Sequence, residues 1–177
     1  MDGPFWHDTR LPFVNTDGPT VTLTGTYQPL VPNSYLPVLG ANYFNYIGKA
    51  LRIRMFGRFT TGATPGSFTL GYLWGNNTAN NGTGIAGNSV VMTANLTGYS
   101  WQADLTIRAR TLGSSGTIIA FGVWYLQNVG FIMMPVTLPG SILLDLTPNN
   151  FISPQMQRSG STGETVQVHD IMFESVN

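Results

Sequence analysis

The chain has 177 residues, enough for one domain around a single core. Only 9% of them are charged, eight basic side chains cancel eight acidic ones, and cysteine is absent. These numbers exclude a basic field for nucleic acid, an acidic tail, a disulfide framework, a thiol nucleophile and a cysteine-held metal. With about 25% charge usual in a soluble domain, the polar face here must come from Ser, Thr, Asn, Gln and Gly. Such a surface fits either the buried part of a permanent interface or the uncharged exterior of a secreted or virion β-protein. No run approaches the roughly 18 apolar residues of a membrane span. The opening MDGPFWHDTRLPF has neither the basic nor the apolar region of a signal peptide. Sequons at Asn76, Asn81 and Asn95 read as by-products of Asn and Thr richness.

Helical periodicity is nearly missing, because 21 glycines and 11 prolines punctuate the chain. Residues 1–19 read as an extended arm, and 20–177 as one β domain. TVTLTG (20–25) begins the first strand. Residues 36–50 hold the one candidate helical turn, in which Leu39, Tyr43, Tyr46 and Ile47 would share a face between Pro37 and Gly48. LRIRMFGRFTT (51–61) alternates, with Leu51, Ile53 and Met55 inward and Arg52 and Arg54 outward. The pattern breaks at Gly57, which predicts a bulge or a close backbone approach. A Gly-Ala-Thr-Pro-Gly turn leads into SFTLGYLW (67–74), whose Phe68, Leu70, Tyr72 and Trp74 share a face. The short connection predicts that these two strands form a hairpin.

Residues 75–88 read as a polar, glycine-rich loop, and SVVMT (89–93) as a strand. YSWQADLTIRART (99–111) turns Trp101, Ala103, Leu105, Ile107 and Ala109 inward and Thr106, Arg108 and Arg110 outward. TIIAFGVWYLQ (117–127) is apolar on both faces, so it should be central or help build an interface, with Trp101 and Phe121 as candidate core rings. SILLDLT (141–147) and ETVQVHDIMFES (164–175) follow, and in the last the alternation slips near Asp170, as a bulge would make it. Seven or eight strands at this spacing, with no repeat, predict an all-β antiparallel sandwich.

Catalytic chemistry finds little footing. The histidines are His7, in the arm, and His169, whose neighbour Asp170 should point to the opposite face of its strand. Asp104, Asp145, Glu164, Asp170 and Glu174 show no spacing that marks a catalytic pair, and no motif predicts a metal, nucleotide or other cofactor. The expectation is a chain that is not an enzyme. Arg52 with Arg54 and Arg108 with Arg110 project in pairs about 6.5–7 Å apart. Each pair is either a partner contact or a solvated outer face. Tyr43, Phe44 and Tyr46 either line a glycan site or close one end of the core. Phe5, Trp6, Leu11 and Phe13 are apolar anchors that order against a partner or pack along the chain's own sheet.

A family pattern lies in Leu30-Val31-Pro32, Ala41-Asn42-Tyr43, Gly48-Lys49, Leu51-Arg52-Ile53-Arg54, Gly57-Arg58 and Thr64-Pro65-Gly66. SWQADLTIRARTLGSSGTIIAFGVW and the closing Asp-Ile-Met-Phe-Glu-Ser strand continue it. Over about residues 20–177 the chain resembles tailed-bacteriophage virion proteins of jelly-roll type, a group of capsid decoration, cement and minor capsid proteins. The resemblance implies a jelly-roll structural protein made in the host cytoplasm and carried on the capsid surface of the virion. It implies a homo-oligomer, a trimer above all, with the major capsid protein as partner. Neither direct nucleic acid nor membrane contact is expected. The alternative is a carbohydrate- or receptor-binding sandwich of a phage fibre or tail, with a glycan at residues 75–88 or at Tyr43 and Tyr46.

Overall fold

The computed structural model describes residues 9–10, 17–75, 82–135, 140–160 and 163–176. They form twelve strands: β1 (Thr9–Arg10), β2 (Thr20–Thr22), β3 (Gln28–Pro29), β4 (Ala50–Thr60), β5 (Ser67–Gly75), β6 (Thr83–Val91), β7 (Tyr99–Thr111), β8 (Gly116–Leu126), β9 (Gly130–Met134), β10 (Ile142–Leu144), β11 (Phe151–Arg158) and β12 (Thr165–Val176). All pairings are antiparallel. The larger sheet runs β1-β12-β4-β7-β8-β10, with β2 also on β12 and β9 also on β8; the smaller runs β3-β11-β5-β6. Without β1 and β8–β10, the orders β2-β12-β4-β7 and β3-β11-β5-β6 are the two four-stranded sheets of a jelly roll. The chain is therefore an all-β sandwich of that topology, with one sheet widened.

Alternation builds the core between the sheets. Leu51, Ile53, Met55 and Phe59 of β4 pack with Trp101, Leu105 and Ile107 of β7, and Phe68, Leu70, Tyr72 and Trp74 of β5 face them. Trp101 is 2% exposed, and its indole N–H donates to the Arg58 carbonyl at 3.3 Å. The ring lies over Gly57, where a β-carbon would stand 1.9 Å from the Gln167 carbonyl oxygen. The break at Gly57 is thus a close approach of backbones. The bulge lies across from it, at His169, where the β4–β12 register shifts between Val168 and Asp170.

Four sequence expectations are corrected. Strands β4 and β5 are not a hairpin: β4 pairs with β12 and β7, β5 with β11 and β6, so the short link crosses between sheets. Residues 36–50 contain no helical turn; a 3-10 turn precedes them at Asn33–Tyr35, and Leu39 bridges to Asn150 instead. Within 75–88, residues 83–88 belong to β6, and 76–81 lie outside the described residues. Phe121 is no core ring, since it stands 42% exposed on the outer face of β8.

One buried ion pair fastens the corner where the sheets meet. Arg158 Nε lies 3.0 Å from Glu164 Oε2, and the Glu164 side chain has no solvent exposure. Arg158 Nε also donates to the Leu23 carbonyl at 2.7 Å, while Leu23 N–H donates to the Glu164 carbonyl at 2.9 Å. The pair ties the ends of β2, β11 and β12 together. Removing one partner leaves a buried charge alone, so Glu164→Gln should cost about 3–5 kcal/mol, while the apolar double change Arg158→Met with Glu164→Leu should recover most of it. Denaturant unfolding of the three proteins measures this.

Trp101→Ala should cost about 3–5 kcal/mol and Phe121→Ala no more than about 0.5 kcal/mol. Equal losses in the same melts would contradict these two placements.

Candidate functional site

The two sheets differ in what covers their outer faces. On the smaller sheet, Ser153 and Gln155 point outward yet are only 3% and 1% exposed. Residues following β2 lie over them: the Tyr27 ring sits where a β-carbon on Gly71 would be 3.0 Å away, and Ser153 Oγ donates to Asn33 Oδ1 at 3.5 Å. Among the described residues, the outer face of the larger sheet carries no such layer.

Register sets the composition of that open face. Residues directly opposite on antiparallel strands share a side, so three rows cross it. One runs Asp170, Phe56, Gln102, Tyr125, Phe131; the next Met172, Arg54, Asp104, Val123, Met133; the third Glu174, Arg52, Thr106, Phe121. The rows divide into two halves. Over β8, β9 and β10 the face is apolar: Phe131 is 73% exposed, Leu143 67%, Met133 64% and Phe121 42%, beside the partly covered Val123 and Tyr125. Tyr125 and Phe131 stack with centroids 4.8 Å apart and planes tilted by 43°. These side chains form one contiguous exposed apolar patch on that face.

Over β12, β4 and β7 the face is polar and charged. Arg52 Nε donates to both carboxylate oxygens of Asp104, at 2.8 and 3.1 Å, and Arg52 Nη2 closes the fork on Oδ2. This bonding raises the Arg52 guanidinium further above its ordinary value. Arg54 Nη2 reaches Glu174 Oε2 and Met172 Sδ at 3.4 and 3.3 Å. Between these strands a groove of about 370 Å³ is lined by Arg54, Phe56, Gln102, Asp104, Asp170 and Met172, with Val123 at its margin.

The residues singled out from sequence are distributed as follows. Arg52 and Arg54 are on the outer face, each already answering a carboxylate. Arg108 stands on the same face opposite Ile119, and Arg110 is exposed at the register shift between Ala109 and Thr111; among the described residues neither has an ion pair. Phe5, Trp6, Leu11 and Phe13 lie outside the described residues. The described part of the arm rests on its own sheet: Thr9–Arg10 pair with Met172 and Phe173, and Gly18 N–H donates to the Val168 carbonyl at 2.9 Å.

Tyr43 packs edge-on against Phe44 at 5.0 Å, and the buried Phe44 lies 6.0 Å from Trp74, so this pair closes one end of the core. Burial pushes the Tyr43 hydroxyl up. Lys49 Nζ sits 4.3 Å from the Tyr43 ring centroid and 5.8 Å from that of Tyr46.

Of the acids and histidines considered for catalysis, Asp104 and Asp170 line one groove, while Asp145 and His169 lie elsewhere. Asp104 is held by Arg52 at the centre of the outer face. Asp145 lines a separate cavity of about 400 Å³ with Trp74, Thr83 and Asn150, and Thr147 donates to it twice, which lowers its carboxyl below the ordinary value. His169 Nδ1 pairs with Asp17 beside β2. No three acidic or histidine side chains among the described residues are grouped to hold a metal ion.

Sequence reasoning flagged the doubly apolar 117–127 but missed the part of the patch over β9, because Phe131 and Met133 lie in a strand with no alternation of large and polar residues. The exposed ring of Phe56 was missed as well.

The chain matches no protein-family profile and no curated protein. Among known structures, 97% of it superposes on 97% of the CBM2 module of the evolved Dit of Lactobacillus casei BL23 phage J-1, at 8% identity and a TM-score of 0.40. A Lotus tetragonolobus seed lectin isoform matches 96% of the chain over 87% of its own, at 12% identity and a TM-score of 0.35. Likenesses so distant do not bear on function.

Because the side chains of Arg52 and Asp104 are 40% and 30% exposed, their coupling should be small despite the forked geometry. A double-mutant cycle with Arg52→Ala and Asp104→Ala should return no more than about 1 kcal/mol. A coupling of several kcal/mol would mean that this pair is buried in an assembly.

Proposed function

We propose that the chain is a non-enzymatic structural module of a phage particle that assembles through the outer face of its larger sheet. The observation that carries this reading is the apolar half of that face. Strand β8 is eleven residues long and carries β9 and β10 end to end along one edge, so two strand widths of about 4.8 Å make a patch of about 350 Å². A solitary protein keeps such surface small, whereas an interface core consists of it, rimmed by polar groups. Arg108 and Arg110, free of carboxylates among the described residues, stand at its rim. The occupant we favour is another copy of the chain, in a trimer.

The phage resemblance takes the reading further, to decoration or cementing of a capsid beside the major capsid protein. There, area buried across lattice seams would raise the pressure or temperature needed to rupture the shell. A clamping role for the arm residues Phe5, Trp6, Leu11 and Phe13 belongs to this finer reading. A second reading, a carbohydrate- or receptor-binding module of a fibre or tail, draws on the groove at Phe56 rather than on Tyr43 and Tyr46.

Light scattering on the purified full chain tests assembly. The expected mass is three times the 19.2 kDa of one chain, and Phe131→Asp, at an exposed position, should give a folded monomer. A monomeric parent at micromolar concentration, or an unchanged oligomer in the variant, would overturn the proposal.

A further inference from the structure

We infer that the groove between β12, β4 and β7 is a binding site for a neutral polyhydroxylated ligand, a mono- or disaccharide. The inference gives the second reading above its site and ligand class, rests on it, and does not depend on assembly through β8–β10.

The size of the groove is the first support. About 370 Å³ lies at the lower end of the range of small-molecule sites. Its centre is the Phe56 ring, 52% exposed although it stands on a central strand. Phe56 is flanked in register by Asp170 on β12 and Gln102 on β7. Neither flanking side chain has a hydrogen bond or ion pair among the described residues, and both line the groove. An apolar platform thus lies between an unused carboxylate acceptor and an unused amide, which both donates and accepts. A pyranose presents the matching surface: a C–H face for Phe56 and Met172, and hydroxyls at its edge for Asp170 and Gln102.

Charge separates this ligand from others. Arg52 and Arg54 are already answered by Asp104 and Glu174, so the unanswered group is Asp170, one negative charge. A phosphate or sulfate would meet that carboxylate where the one lining cation among the described residues, Arg54, is already paired; the exposed Arg58, one outward position beyond Phe56, is not part of the lining. A purely apolar ligand would leave the desolvated Asp170 and Gln102 unpaired, which is costly. A small ammonium could sit on Phe56 beside Asp170, but it would leave Gln102 and most of the groove unused.

The test is an amide-shift NMR titration of the full chain with glucose, galactose, N-acetylglucosamine, maltose and cellobiose, with sulfate and tetramethylammonium as counter-probes. At least one saccharide should shift Phe56, Gln102 and Asp170 with an affinity of about millimolar, as expected for so few ligand atoms. Phe56→Ala should weaken it at least about tenfold. Asp170→Ala should weaken it too, with the Trp101 indole signal unmoved in both variants as a check on the fold. Oligomeric mass measured on Phe56→Ala should equal that of the parent, which separates this site from the assembly surface. No response to any saccharide, shifts confined to other residues, or a response to sulfate or tetramethylammonium alone would overturn the inference.

Discussion

The Gln167 carbonyl oxygen occupies the place where residue 57 would carry its β-carbon, and the rest of the outer face depends on that contact. Because residue 57 is glycine, β12 lies close against β4 while Trp101 fills the space beside it. One residue later the bulge at His169 changes the phase of β12. Before it Val166 and Val168 point inward; after it Ile171 and Phe173 do. Strand residues alternate strictly, so without the extra residue Asp170, Met172 and Glu174 would face the core. The bulge turns them outward, opposite Phe56, Arg54 and Arg52. The Arg54–Glu174 contact and the β12 wall of the groove are consequences of one added residue in one strand.

The same sheet then divides its surface by chemistry. Half of the charges on β12, β4 and β7 are matched in place, whereas β8, β9 and β10 present rings and thioethers to water. Covering apolar surface releases water at no electrostatic cost, and matched charges beside it hold register against a partner. On the smaller sheet the chain's own residues after β2 do the covering, so Ser153 and Gln155 are buried without a partner molecule. The low charge content and the open apolar half are two views of one property.

Legibility in the sequence followed the range of the interactions. The alternation in β7 specified all five inward residues from Trp101 to Ala109, since period two is a local property. The slip at Asp170 was readable for the same reason. The partner of β4 was not: a five-residue link looks alike whether it closes a hairpin or crosses to the other sheet, and only long-range pairing decides. Strand β11 was hidden by Pro154, which has no N–H to give a ladder. The Pro154 carbonyl accepts from Leu30 N–H, so its nitrogen faces the short β3 side and its pairing with β5 is unharmed. Gly84 and Gly87 similarly disguised β6. The Arg158–Glu164 pair drew no notice because charge spacing along a chain says nothing about burial. The alternation of 51–55 puts residue 56 on the outer face with Arg52 and Arg54, whereas Phe131 carried no such signal and only its register with Tyr125 placed it there.

The central claim is that the open face of the larger sheet is the working surface, with its apolar half buried between copies. Hydroxyl-radical footprinting of the full chain at high and low concentration tests it most directly. Met133, Phe131 and Leu143 should be protected in the concentrated sample, while Val91 and Ile47, which are 75% and 67% exposed away from that patch, should oxidise equally in both. Equal oxidation of Met133 and Phe131 at the two concentrations, or protection confined to Val91 and Ile47, would contradict the account.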